Sequence, residues 1–148
     1  MRDHGFTEEQ AHAAALLADG SIERALEGDT EGFAEARQKA FAMLRAVAAS
    51  PQPAGRLSAA KLIGGERDEL ASRLQLLASM LRGLGLLAAR GDERELANRD
   101  LRGELERLLP AFAGERPVRA FSAVARALSA LERNGSPKIV ADWVALQL

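Results

Sequence analysis

The stretch Glu132–Leu148, ERNGSPKIVADWVALQL, holds the end of one helix, a stop, a restart and a second helix. Glu132 and Arg133 close the first. Asn134 and Gly135 both tolerate the left-handed backbone that ends a helix. Ser136 can cap the next helix, and Pro137 suits its first position, where a missing N–H costs nothing. Ile139, Val140, Trp143, Val144, Leu146 and Leu148 then leave the last helix apolar on most sides. Such a helix needs cover, either from its own domain or from another subunit.

Upstream, the same grammar repeats. Val118, Phe121, Val124, Leu128 and Leu131 mark one face of a helix opened by Pro117, and Leu101–Phe112 reads as another helix. The longest runs from about Glu66 to Arg90. Leu70, Leu74, Leu77, Leu81 and Leu84 step by four, three, four and three, and Leu76, Met80, Leu86 and Leu87 widen the stripe. That width predicts a central helix touched on several sides rather than a two-stranded coiled coil. Gly83 and Gly85 interrupt it, as close-approach points, as a kink or by simple tolerance. Gly91–Arg99 is polar and reads as a loop or a frayed turn. A short segment around Leu57, Ala60 and Leu62 precedes Gly64-Gly65. Phe33, Ala36, Ala40, Leu44 and Val47 place a helix from Asp29 or Thr30 up to Pro51-Gln52-Pro53, where proline restrains the preceding residue. Those prolines are the best boundary in the chain and a semi-rigid joint. Further back, Thr7 with Gln10 opens a helix to about Leu17, and Ser21 caps a short one through Leu26.

Composition agrees with helix. Of 148 residues, 47% are hydrophobic and 28% charged, with no Cys, no Tyr, one Trp and a net charge of -1. The fold class is therefore all-α, a small N-terminal helical piece followed by an antiparallel helical bundle, large enough to bury a core. The charge balance does not demand nucleic acid. The absence of cysteine fits a cytoplasmic setting and excludes a thiolate metal site. No run approaches a membrane span.

Motifs for chemistry are missing. There is no phosphate loop, and Gly83-Leu84-Gly85 lacks the third glycine of a dinucleotide fingerprint. His4 and His12 lack supporting ligands, no Ser or Thr has a His partner, and Glu104 and Glu106 do not share a helix face. No catalytic, metal or cofactor residue is assigned. Arg45, Arg56, Lys61 and Arg67 form a loose basic zone, either a phosphate-touching strip or ordinary surface charge. From the residues alone, this is a non-catalytic helical module that binds other protein.

Two stretches carry a family resemblance. LADGSIERAL, Leu17–Leu26, resembles the G-S-x-x-R-A-L element near the end of the lid domain in AAA+ clamp-loader subunits. MLRGLGLLAARGD, NRDLRGELERLL and ARALSALERNGSPKIVADWVALQL resemble the collar domain of the bacterial DNA polymerase III delta prime subunit, whose helix–"N-x-N-P"–helix ending here has Ser136 for the second asparagine. The resemblance spans about Thr7 to Leu148. It implies the end of a lid and a connecting helix over 1–50 and an oligomerising collar over 51–148. Gly20, Ser21 and Arg24 become lid-motif residues. The family's ATP-contacting arginine would fall at Glu23, so the resemblance implies a lid that does not sense ATP. It further implies a nucleotide-binding domain before residue 1, collar partners in the gamma/tau and delta subunits, no cofactor held by this piece, and a parent complex with DNA-directed DNA polymerase activity. Gly83, Gly85 and Trp143 are the candidate subunit-interface residues, with Trp143 alternatively filling its own core.

Three other readings remain: a stand-alone regulatory or ligand-binding module forming a closed homodimer, direct nucleic-acid binding through the arginines, and an enzyme in its own right, for which no constellation appears.

Overall fold

The computed structural model describes residues 30–91, Leu96 and 98–148, apart from the side chains of Thr30, Glu31 and Arg99. The helices expected over Thr7–Leu17 and Ser21–Leu26 lie outside the described residues, as do Gly20, Ser21, Arg24, His4 and His12. The described residues are all-α. The helices are α1 (Thr30–Ala49), α2 (Pro53–Ile63), α3 (Arg67–Ala88), α4 (Arg102–Leu108), α5 (Arg116–Glu132) and α6 (Pro137–Gln147), with a 3-10 turn at Arg99–Leu101 leading into α4.

The leucine stripe of α3 does what its width predicts. Leu70, Leu74, Leu77, Leu81 and Leu84 are all buried, with Leu76 and Met80 beside them. Helix α3 touches every other helix and packs most extensively on α5. Alanines set that approach. On α5 the buried positions are Pro117, Ala120, Phe121, Ala123, Val124, Ala127 and Leu131, while Val118 and Leu128 are only partly covered. Small side chains let the two backbones come close, and each fully buried leucine adds about 1.5–3 kcal/mol.

Helix α1 lays Ala36, Ala40, Met43, Leu44 and Val47 into the same core as α3, α5 and α6. The Pro51–Pro53 segment is thus a tight turn between helices that pack on one another, and the core continues across it.

The short segment before Gly64-Gly65 is a helix whose facing the packing decides, and one expected helix is shorter. In α2 the inward side chains are Ala59, Ala60 and Ile63, while Leu57 and Leu62 point outward. Leu62 stands about 200° round the helix from Ala60, so the two cannot share a face. The helix expected over Leu101–Phe112 stops at Leu108. Pro110 has no N–H to continue the ladder. The chain tightens instead through Leu109 N–H to the Glu106 carbonyl at 3.2 Å, which delivers Phe112 into the core.

Candidate protein-interaction face

Helix α6 is fixed at both ends. At its start, α5 terminates in a Schellman turn: Asn134 takes the left-handed conformation (φ 65°) and donates to the Leu131 carbonyl at 3.1 Å. The Gly135 N–H reaches back to Ala130 at 2.8 Å. Ser136 Oγ accepts from the Ile139 N–H at 3.5 Å, and Pro137 occupies the first turn. At its end, the Arg116 Nε donates to the Leu148 carbonyl at 2.8 Å and the Arg56 Nη1 to the Leu146 carbonyl at 3.3 Å. Guanidinium groups there suit the negative end of the helix dipole.

So held, α6 presents two apolar faces. Val140, Ala141, Val144 and Ala145 are buried within the chain. Ile139, Trp143 and Leu146, spaced by four and three, form a second stripe on the other side. Ile139 is 69% exposed and Leu146 39%. Trp143 is partly buried; part of its ring packs on the core, and the Arg126 guanidinium of α5 lies 5.7 Å from the ring centroid. That separation is within cation–π range. Lys138 and Asp142 flank the stripe and pair with each other at 3.1 Å. Scattered apolar side chains are normal on a monomer's surface; here three share one side of a single helix.

The other candidates are placed differently. Gly83 faces inward: a Cβ there would meet Leu96 Cδ1 at 3.0 Å and Leu105 Cδ1 at 3.4 Å, so its smallness serves a close approach within the chain. Gly85 is two residues on, with nothing within 4 Å of a Cβ. The basic zone does not converge. Arg45 lies 5.9 Å from the Phe41 ring centroid, Arg67 donates to the Leu131 carbonyl, Arg56 serves Ser50 and Leu146, and Lys61 is exposed. Glu104 and Glu106 are exposed, and Glu106 pairs with Arg102. Among the described residues no group of three or more His, Asp or Glu could hold a metal, and no helix is long and apolar enough to cross a membrane.

Sequence reading did not anticipate two polar anchors. Arg116 stacks 4.4 Å from the Phe112 centroid, donates to Ala111 and Leu148, and leaves its Nη2 buried without a partner. Burial, reinforced by Arg56 and Arg119, holds its pKa below the ordinary value. Arg73, buried on α3, donates to the carbonyls of Ile63 and Gly64 and closes the end of α2.

Comparisons of the chain with protein-family models, with curated proteins and with solved structures returned no match.

Proposed function

We propose that this chain is the C-terminal oligomerisation region of a DNA polymerase III clamp-loader subunit of the delta prime type. In this reading residues 1–50 are the end of the lid and a connecting helix, and 51–148 are an antiparallel collar bundle against which that helix, α1, packs in a shared core. Gamma/tau and delta collars are its partners, and the chain hydrolyses no ATP itself. Its work is to hold a cytoplasmic replication assembly together while other domains load the sliding clamp on DNA. The outward stripe of α6 carries the proposal. A terminal helix that is apolar on both its buried and its open face behaves as half of an interface.

The test is co-expression of the chain with gamma/tau and delta collars, followed by size-exclusion chromatography. A heterologous complex that Ile139→Asp abolishes, without loss of helicity, is the expected result. Failure to join any collar overturns the proposal. A closed homodimer that takes an apolar ligand points instead to a stand-alone regulatory module.

A further inference from the structure

Helices α5 and α6 lie side by side, joined by the Asn134–Ser136 turn at one end and by Arg116 on the Leu148 carbonyl at the other. Arg119 and Arg126 on α5 and Arg133 at its C-terminal cap follow one another at steps of seven. Seven residues are nearly two turns, so Arg119 and Arg126 share one line, about 10.5 Å apart, and Arg133 stands at the end of the helix that carries it. All three are exposed. None of the three makes an ion pair among the described residues, so their charge is open to a partner. Arg126, the middle one, lies over Trp143 and so brings the arginine line alongside the apolar stripe of α6. The acid nearest in sequence to that stripe, Asp142, is taken by Lys138.

An apolar stripe edged on one side by unpaired positive charge has a specific complement. We infer that the α5–α6 face seats an amphipathic helix of another protein, with its apolar side on Ile139, Trp143 and Leu146 and an acidic row along Arg119, Arg126 and Arg133. The inference rests on the face being an interface and adds the chemistry of what covers it. Carboxylates at steps of seven on the incoming helix would meet the arginines in register. Edge charges of this kind choose the partner and its orientation and speed encounter more than they add raw affinity. Nucleic acid is the weaker occupant, because exposed isoleucine and leucine beside the arginines have no counterpart on a phosphate backbone.

The chain has a single tryptophan, so Trp143 emission reports on the face directly. The probes are two synthetic amphipathic helical peptides with the same leucine stripe. One carries glutamate every seventh residue on its flank, and the other lysine. At about 50 mM salt the glutamate peptide is expected to bind about ten-fold more tightly, with the gap closing as salt rises. The triple variant Arg119→Glu, Arg126→Glu, Arg133→Glu is expected to invert the preference. A gain of affinity for the lysine peptide cannot come from misfolding. Equal binding of the two peptides, no binding of either, or tighter binding of a short DNA duplex would each overturn the inference. If the glutamate peptide binds while no collar joins the chain, the clamp-loader proposal falls and the acidic-helix inference stands. If collars join through Ile139 and the triple variant changes neither assembly nor peptide choice, the reverse holds.

Discussion

Arg37 of α1 grips Asp100 with both arms of its guanidinium, Nη1 lying 2.6 Å from Oδ2, and its Nε also reaches Asn98 Oδ1 at 3.3 Å. Asn98 is itself buried and donates to Ser79 Oγ of α3 at 3.1 Å. One side-chain network thus ties α1, α3 and the entry to α4. The Arg37 hydrogen bond holds the Asp100 carboxyl below its ordinary pKa. The same bond, offset in part by burial, raises that of Arg37.

A depressed carboxyl pKa gives stability that is present above the unfolded value of about 4 and is lost as pH falls through the lower folded value. Asp100 is largely exposed, so the pair is worth no more than about 1 kcal/mol. Asp100→Asn is expected to lower stability slightly at pH 7 and to flatten its decline below pH of about 4, as measured by urea unfolding across pH. Asn98→Ala, which removes a buried amide and strands its half-buried partners Arg37 and Ser79, is expected to cost more, about 1–3 kcal/mol, at every pH.

Gly83 and Gly85, two residues apart on α3, are expected to respond differently to alanine. At Gly85 the added methyl meets nothing, and helix propensity favours alanine by about 1 kcal/mol. At Gly83 the same gain is offset by the clash with Leu96 and Leu105. Thermal unfolding should show a raised Tm for Gly85→Ala and an unchanged or lowered one for Gly83→Ala. A larger residue at Gly85 that keeps the fold but blocks assembly would place that position at a subunit contact.

How far the chain could be read in advance follows from the range of the forces involved. The faces of α1 and α3 were legible because three- and four-residue spacing is a local signal, carried by leucine in α3 and by a mix of alanine, leucine and valine in α1. The side of α2 was not: Leu57 and Leu62 outrank Ala59 and Ala60 in hydropathy, and only packing against α1 and α6 turns the alanines inward. Asn98 sat in a stretch read as polar loop, yet it is buried, because its partners Arg37 and Ser79 are distant in sequence. The candidate face was half visible. Trp143 stood out by type, but its pairing with Arg126 and the exposure of Ile139 required the placement of α5.

The ends of α3 and α5 share a device. Arg90 (φ 55°) and Asn134 (φ 65°) take the left-handed position, and the following glycines, Gly91 and Gly135, close the six-residue bond to Leu86 and Ala130 at 2.9 Å and 2.8 Å. A left-handed arginine costs about 1–2 kcal/mol, whereas asparagine tolerates the region. Arg90→Gly is therefore expected to raise stability by about 1 kcal/mol, and Asn134→Gly by less. Gly135→Ala is expected to destabilise, since its Cβ would stand 2.8 Å from the Ala130 carbonyl oxygen. Chemical denaturation of the three variants checks the order.

Trp143 answers to both neighbours it has. One part of the ring packs on the core and another lies beneath Arg126, so truncation removes a portion of an aromatic burial rather than all of it. Trp143→Ala is expected to cost about 1–3 kcal/mol, below the 3–5 kcal/mol typical of a fully buried aromatic, and to leave a helical, cooperative fold. Ile139→Asp, at a position 69% exposed, is expected to cost almost nothing in the isolated chain. Circular dichroism and thermal unfolding of both variants, set beside their association with partner collars, separate the two roles. If Trp143→Ala unfolds outright, the indole is a core residue first, and any docking on α6 runs through Ile139 and Leu146.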